Sequence, residues 1–424
     1  MKGGVQNYDP ISRTYYVHNN LTIFPEDIPL ETEKLFLNRN QLTSLPQSIG
    51  NLTDLSELIL NDNQLTNIPQ SIGNLTNLSE LRLTTNQLTS LPQSIGNLTN
   101  LRHLFLGENQ LTSLPESIGN LTNLEGLLLG NNQLISLPES IGNLTNLEAL
   151  FLETNQITSL PESIGGLNNL RQLILTLNEL TSLPESIGNL NNLRHLFLDN
   201  NQITNLPESI GNLNNLSELN LTLNELTSLP ESIEKLSNLR DLYLNYNQLT
   251  SLPDSFGNLT ELRFLYLDYN KLTTLPLSLT KLKSSNLQDY NFSHNPYEWL
   301  HPKIVEVFGD DFFDKSKVII SEKSPDELKE EMVTNIGRNT DPKPIMKSSQ
   351  GVELPSELDA RVASFLSFND LGRLSQVNKS NYQTMRNKKT DGTGGKKKRK
   401  TRKIKKTKKQ TKRRGRKGRG KGKY

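Results

Sequence analysis

The sequence predicts an α/β solenoid built from one strand-and-turn unit of 23 residues. Each unit reads approximately L-x-x-L-x-L-x-x-N-x-L-T-S-L-P-x-S-I-G-N-L-x-N. A fixed period of this length indicates one supersecondary unit that stacks on its copies and presents a long, shallow surface. The period is marked by eleven prolines, each 23 residues after the previous one: Pro46, Pro69, Pro92, Pro115, Pro138, Pro161, Pro184, Pro207, Pro230, Pro253 and Pro276.

Each unit is predicted to begin with a short strand, because apolar and variable residues alternate in its leading L-x-x-L-x-L. An asparagine follows, and its side chain offers two N–H donors and a carbonyl acceptor for backbone groups at the strand end. The T-S-L-P segment should lie outside the sheet, since proline cannot donate to a ladder. The S-I-G-N-L-x-N stretch should form the return side, with Ile and Leu pointing inward. The asparagines are Asn40, Asn63, Asn86, Asn109, Asn132, Asn155, Asn178, Asn201, Asn224, Asn247 and Asn270.

These residues resemble the leucine-rich repeat family, and in particular its 23-residue plant-intracellular Ras-group type. The resemblance covers residues 19–296, with degenerate first and last units at 19–25 and 291–296. It implies a curved solenoid with a parallel sheet on the concave side. Residues 1–18 would then form a separate N-terminal segment.

The concave face is predicted to bind a protein client. The variable residue between the second and third leucines of each unit should project from this face, because side chains alternate along a strand. These residues, mostly aromatic or aliphatic, are Phe36, Ile59, Arg82, Phe105, Leu128, Phe151, Ile174, Phe197, Asn220, Tyr243 and Tyr266. Acids flank them: Glu57, Glu80, Glu108, Glu153, Asp199, Glu218, Asp241 and Asp268. An apolar band rimmed by charge is typical of a protein interface, although such side chains also simply suit strands.

The chain changes character after the repeats. Apolar residues between Trp299 and Phe313 predict a cap within residues 297–338, because the end of a solenoid exposes its core. Ser324 and Pro325 predict a helix start, with Ser as N-cap and Pro at the first helical position. This helix should run to about Ile336. Residues 339–351 are polar, contain two prolines and are interpreted as a linker.

Residues 352–386 regain a helical pattern. Apolar residues recur at helical spacing after Pro355, and a second short amphipathic segment follows Asp370. This string resembles the F-box family, which docks on the Skp1 subunit of cullin-based ubiquitin ligases and presents a substrate bound elsewhere in the chain. A helical hairpin that packs on the array is the alternative. The resemblance implies that Skp1 would contact Leu354, Pro355, Leu358, Val362, Leu366 and Leu371.

Residues 387–424 are predicted to be a disordered polybasic tail, because so charged a segment buries little apolar area. From Lys388 onward the tail holds 21 Lys and Arg against one acid, while the rest of the chain holds 26 basic and 44 acidic residues. Nuclear import and nonspecific binding to nucleic acid or another polyanion are the functional interpretations. Attraction to anionic lipid, tethering to an acidic body and an inert solubilising tail are alternatives. The densest basic positions are Lys396, Lys397, Lys398, Arg399, Lys400, Lys412, Arg413 and Arg414.

The sequence predicts a non-enzymatic protein that uses no cofactor or metal. It has no cysteine, which excludes disulfides, thiolate zinc sites and a catalytic thiol. It lacks kinase, P-loop, metalloprotease and serine-hydrolase signatures, and His103 and His195 are interpreted as surface residues. With no signal peptide and no run of about 18 apolar residues, we expect a cytoplasmic or nuclear protein. A scaffold or adaptor in Ras-type signalling, without a ligase link, is the alternative function.

Overall fold

The structure is a computed structural model that describes residues 6–17, 20–338, 344–347 and 353–355. Its main element is a 14-stranded sheet whose strands lie side by side in chain order. Strands β1 (Gln6–Asp9) and β2 (Thr14–Val17) form an antiparallel hairpin at one edge, and every later pair in the sheet is parallel. The remaining strands are β3 (Lys34–Phe36), β4 (Glu57–Ile59), β5 (Glu80–Arg82), β6 (His103–Phe105), β7 (Gly126–Leu128), β8 (Ala149–Phe151), β9 (Gln172–Ile174), β10 (His195–Phe197), β11 (Glu218–Asn220), β12 (Asp241–Tyr243), β13 (Phe264–Tyr266) and β14 (Asp289–Asn291).

The parallel strands from β3 to β13 pair in the register of the sequence repeat. Leu150 of β8, for example, lies opposite Leu173 of β9, one unit of 23 residues further on. The last pair is different, because Leu265 of β13 lies opposite Tyr290 of β14. The final unit accommodates its two extra residues around a short helix, α1 (Thr280–Lys283).

The convex side is a row of 3-10 helices, each of which starts directly after its proline. The prolines therefore lie outside the sheet, as predicted. Within each turn the N–H of an Ile, Phe or Leu donates to the proline carbonyl, as Ile141 does to Pro138 over 3.0 Å. The row consists of Gln47–Asn51, Gln70–Asn74, Gln93–Asn97, Glu116–Asn120, Glu139–Asn143, Glu162–Gly166, Glu185–Asn189, Glu208–Asn212, Glu231–Lys235, Asp254–Asn258 and Leu277–Leu279.

The core lies between the sheet and these turns and is filled by the repeated leucines and isoleucines, which are almost completely buried. The asparagine after each strand is buried too, and it links two units. Asn155 Oδ1 accepts a hydrogen bond from the Leu134 N–H (3.0 Å). Its Nδ2 donates to the carbonyl oxygens of Leu129 (3.1 Å) and Leu152 (3.0 Å). The predicted role of the asparagines in satisfying backbone groups is confirmed.

The sheet starts at Gln6, earlier than the sequence boundary at residue 19. β2 pairs in parallel with β3, and Tyr15 lies opposite Leu35. Tyr15 and Val17 are buried in the positions that leucines occupy in later units. The hairpin partner β1 covers the edge of β2, which would otherwise expose unpaired backbone groups.

The other end of the solenoid is covered by the apolar segment after the repeats. Strands β15 (Trp299–Leu300) and β16 (Ile319–Ile320) pair in parallel, and helix α2 (Pro302–Phe308) lies between them in the chain. Ile304 and Phe308 are buried against the core. The Phe292 ring makes edge contacts with the rings of Phe308 (5.2 Å) and Phe312 (5.9 Å).

Helix α3 (Pro325–Arg338) begins where Ser324 and Pro325 predicted. A reciprocal capping box fixes this start, because Glu327 N–H donates to Ser324 Oγ (3.2 Å) and Ser324 N–H donates to Glu327 Oε2 (2.6 Å). The helix ends two residues beyond the predicted Ile336. In the described part of the chain, no helix is long and apolar enough to span a bilayer.

Two short strands, β17 (Pro344–Lys347) and β18 (Glu353–Pro355), pair antiparallel after the helix. β17 falls in the segment interpreted as a linker, and β18 contains Leu354 and Pro355 of the F-box-like string. The other predicted Skp1 contacts (Leu358, Val362, Leu366 and Leu371) lie outside the described residues. So do the basic positions of the tail, Lys396 to Lys400 and Lys412 to Arg414.

Candidate protein-binding face

The open face of the sheet carries the first and third residue of each strand, because the middle residue points into the core. Leu150 is fully buried, while Ala149 and Phe151 on either side of it are half-buried. All the variable positions from Phe36 to Tyr266 that the sequence placed on this face show the same half-buried state. Their predicted position on the sheet surface is therefore confirmed. Most of the flanking acids also lie on this face, but Asp268 is buried rather than at an exposed rim.

The face divides into three sections along the solenoid, and the N-terminal one is ionic. Lys34 Nζ lies 2.5 Å from Glu57 Oε1 on the next strand. Arg82 forms an ion pair with Glu80 of its own strand. The Arg82 guanidinium also lies 4.6 Å above the centre of the Phe105 ring. Arg82, which interrupts the apolar stripe in the sequence, thus covers the first aromatic ring of the central section.

The central section, β6 to β10, carries an unbroken row of apolar side chains from Phe105 to Phe197. Small residues flank its apolar row: Gly107, Gly126, Gly130 and Ala149. The Glu153 side chain folds into the space that Gly130 leaves, since a Cβ on Gly130 would lie 2.2 Å from Glu153 Oε1. Glu153 Oε2 is buried there and has no hydrogen-bond partner among the described residues.

A shallow depression of about 360 Å³ lies in this central section. It is lined by Phe151, Glu153, Gln172, Ile174, His195 and Phe197. His195 Nδ1 lies 3.2 Å from Glu218 Oε2 on the next strand, so this histidine is part of the lining rather than an isolated surface residue. The described residues contain no group of three or more acidic or histidine side chains arranged to hold a metal ion.

The C-terminal section is built from stacked aromatic rings. The rings of Tyr243 and Tyr266 are 5.4 Å apart and nearly parallel. A second stack runs beside the strand ends, with 4.4 Å between the rings of Tyr246 and Tyr269 and 4.1 Å between those of Tyr269 and His294. Strand alternation predicted that Tyr243 and Tyr266 project from this face, and it gave no indication of Tyr246, Tyr269 or His294.

The second stack lies at a position where the backbone leaves the strand. Tyr246, Tyr269 and His294 all have φ between 54° and 57°, and so do the corresponding residues of most other units within a few degrees. In this left-handed conformation the alternation of a strand no longer indicates where a side chain points. The signal that could have revealed the stack is the recurrence of tyrosine one period apart, at 246 and 269.

Carboxylates accompany these rings. The Tyr266 hydroxyl donates to Asp289 Oδ2 (2.6 Å), and this hydrogen bond, with burial and nearby acids, raises the pKa of Tyr266 to about 12. Burial raises the pKa of Asp241, while Arg263 and Arg240 oppose that shift. Burial also raises the pKa of Asp268. The section therefore combines exposed π-faces with desolvated negative charge.

Comparison with known proteins agrees with this architecture. A family model described as a leucine-rich repeat region matches residues 92–176 and 149–225, and a leucine-rich repeat model matches 214–272. No curated protein sequence matches the chain.

Several solved structures are similar to the chain. A leucine-rich repeat protein of Leptospira interrogans is 36% identical over 75% of this chain and 81% of its own, with a TM-score of 0.63. An internalin of Listeria monocytogenes is 26% identical over 72% of this chain and 87% of its own, with a TM-score of 0.58. The leucine-rich repeat ectodomain of the receptor kinase GASSHO1 of Arabidopsis thaliana, in complex with CASPARIAN STRIP INTEGRITY FACTOR 2, is 31% identical over 68% of this chain and 39% of its own, with a TM-score of 0.53. The repeats, the parallel sheet and these relatives together establish that the chain belongs to the leucine-rich repeat family.

Proposed function

We propose that the chain is a non-enzymatic binding scaffold whose concave face holds a protein client, with the central section as the main contact. The observation that carries this proposal is the row Phe105, Leu128, Phe151, Ile174 and Phe197, half-exposed beside small residues. Taking such a side chain from full exposure to full burial contributes about 1.5–3 kcal/mol, and covering the exposed part of these half-buried residues contributes a fraction of that for each. A few aromatic anchors near the centre of an interface commonly supply most of its binding energy.

Two further observations support a binding role over a catalytic one. The depression between Phe151 and Phe197 is shallow, which favours a protein surface over a small substrate. Leucine-rich repeat domains are usually non-catalytic, and the ectodomain of the Arabidopsis relative is seen in complex with a protein factor. The 23-residue period also supports assignment to the plant-intracellular Ras-group subtype.

A photo-crosslinking experiment tests the proposal. Benzoylphenylalanine replaces Phe151 or Phe197 in the full chain, and crosslinked partners from the source cells are identified by mass spectrometry. The double variant Phe151→Ala/Phe197→Ala should weaken binding of the purified client by at least about tenfold, as expected for two central anchors. Ile135→Ala is the matched control, because Ile135 is an exposed aliphatic residue outside the strands. Client binding that the double variant leaves unchanged, or that Ile135→Ala weakens as much, would refute the proposal.

We further propose that Leu354, Pro355, Leu358, Val362, Leu366 and Leu371 dock on a Skp1-type subunit, which would make the scaffold a substrate receptor of a ubiquitin ligase. The support is the F-box-like string of the sequence. Pull-down with the full chain should recover Skp1, and Leu354→Asp with Pro355→Ala should abolish that recovery. If deleting residues 352–386 leaves every partner in place, the chain is instead an adaptor without a ligase link.

For the basic tail we propose nonspecific binding to a polyanion and residence in the nucleus or cytoplasm. Its support is the density of Lys and Arg from Lys396 to Lys400 and Lys412 to Arg414. Binding to a DNA duplex of random sequence should weaken steeply as salt rises, because released counterions drive it. Binding that survives substitution of the basic residues by Gln would contradict this role.

A further inference from the structure

Asp268 lies between the two ring stacks of the C-terminal section. Tyr266 of the first stack comes two residues before it, and Tyr269 of the second stack follows it directly. Asp268 as a whole residue is only 7% exposed. Its charge contributes to the raised pKa of Tyr266, after the hydrogen bond to Asp289 and burial. It contributes likewise at Tyr246, after burial and the neighbouring Tyr269. The Tyr246 N–H donates to the Asp268 carbonyl oxygen (3.0 Å), so Asp268 lies beside Tyr246 of the second stack as well as next to Tyr269 in the chain.

Among the described residues, no Lys or Arg forms an ion pair with Asp268. The neighbouring acids are compensated differently: Asp289 accepts a hydrogen bond from the Tyr266 hydroxyl, and the charges of Arg263 and Arg240 lower the pKa of Asp241 against the effect of burial. The raised pKa of Asp268 is opposed first by a hydrogen bond from its own backbone N–H and then by His294, which stacks on Tyr269. A carboxylate held away from water without a cationic partner is unfavourable, so the site is poised to accept one.

The rings on either side strengthen this preference for a cation. Tyrosine faces carry negative electrostatic potential and attract ammonium and guanidinium groups within about 6 Å. As whole residues, Tyr246 is 44% and Tyr269 41% exposed. The Tyr269 ring is stacked between Tyr246 and His294, so Tyr246 is the tyrosine of this stack with a ring face that no other ring of the stack covers. A planar guanidinium can stack on such a ring while donating to a carboxylate below it.

We propose that Asp268 and the stacked rings of Tyr243, Tyr246, Tyr266 and Tyr269 form a subsite for an arginine or lysine side chain of the protein client. This inference rests on the proposed function, because it places a second, polar anchor beside the apolar contact of the central section. The subsite would give the client its orientation along the sheet, since the ionic N-terminal section offers no equivalent aromatic pair of stacks.

A peptide titration tests the subsite directly on the full chain. The probe is a fluorescein-labelled peptide that alternates Gly and Arg, and its control has citrulline, a neutral isostere, in place of Arg. The Arg peptide should bind, and Asp268→Asn should weaken it about tenfold through loss of a charge-assisted hydrogen bond. Glu108→Gln removes the same charge from an exposed acid in the first half of the sheet and should change the Kd less than about twofold.

Further variants keep the test decisive. Tyr246→Phe keeps the π-face and should preserve binding, whereas Tyr246→Ser with Tyr269→Ser should lose it. The titration is repeated on a full chain whose Lys and Arg after residue 387 are Gln, so that this basic run cannot compete with the probe. Equal binding of the citrulline peptide or an equal loss with Glu108→Gln would overturn the inference. So would an Arg-peptide Kd above ~1 mM both in the wild-type chain and in the chain whose tail carries Gln.

The outcomes also separate this inference from the proposed function. Phe151→Ala should leave the Arg-peptide Kd unchanged, because Phe151 lies on β8, four strands away from β12. If Phe151→Ala abolishes client binding while Asp268→Asn leaves the Kd of the Arg peptide unchanged, the subsite alone is refuted. If binding of the Arg peptide depends on Asp268 while client binding is insensitive to Phe151→Ala, the central contact alone is refuted.

Discussion

A Cβ atom on Gly119 would lie 2.4 Å from the carbonyl oxygen of Ser140 and 2.6 Å from its Cβ, in the neighbouring convex turn. Neither atom belongs to a flexible chain end, so the clash has no cheap relief. The turn Glu231–Lys235 has Glu234 at this place, and there Asn258 Nδ2 donates to Glu234 Oε2 over 2.7 Å. The last turn has Thr280 at this place, and in the other nine turns glycine sets how closely successive convex turns approach.

Gly119→Ala should therefore destabilise the array by about 1–3 kcal/mol, the usual cost of overpacking. Urea unfolding of the full chain measures the change. Gly107→Ala is the control, because a Cβ there would meet the Gly130 carbonyl oxygen at 3.3 Å and nothing else closer than 3.8 Å. Equal effects of the two substitutions would show that close approach of the convex turns is not the cause.

Asn155→Leu should cost about 1–3 kcal/mol, because it leaves the buried Leu134 N–H without a partner. The Leu129 and Leu152 carbonyls lose one bond each but still accept from Asn132 and Asn178. Hydrogen exchange reports this locally, and the Leu134 amide should lose protection first. Asn146→Leu is the matched control, since its single bond to the Thr122 carbonyl (2.9 Å) is at an exposed position. Unchanged protection at Leu134 would contradict the linking role of Asn155.

Phe151→Ala should leave the free energy of unfolding nearly unchanged, whereas Leu150→Ala should lower it by about 2–5 kcal/mol. The two residues are adjacent, but Phe151 is half-buried on the open face and Leu150 is fully buried in the core. Thermal unfolding of both variants makes the comparison. A larger loss from Phe151→Ala would mean that the two faces of β8 have been assigned the wrong way round.

Asp268→Asn should stabilise the chain near neutral pH. Burial raises the pKa of Asp268 above its ordinary value of 3.8, so folding favours the protonated form. The wild-type chain is therefore penalised once the carboxyl ionises, and the penalty disappears as pH falls through 3.8. Urea unfolding of both chains at pH 7 and near pH 4 should show the advantage of Asp268→Asn shrinking on acidification. A constant or growing advantage would exclude the carboxylate as its source.

The repeat made the solenoid, its strand register and its outward residues predictable, because the same local pattern recurs eleven times. The sequence missed the N-terminal hairpin, since Tyr15 and Val17 fill leucine positions without the surrounding motif. It also missed Tyr246 and Tyr269, because their backbone has left the strand conformation. The burial of Asp268 depends on the size of the rings around it, which no single-residue pattern encodes.

The uniform 23-residue register fixes the distances between binding positions along the sheet. Removing the copy that holds β11 would keep the register of the remaining strands and would bring the depression closer to the stacked tyrosine rings by one strand width, about 4.8 Å. Distances along the sheet therefore change only in whole steps of one strand. Adding or deleting whole copies would match the distance between two binding positions to a client, without changing the residues that form either position.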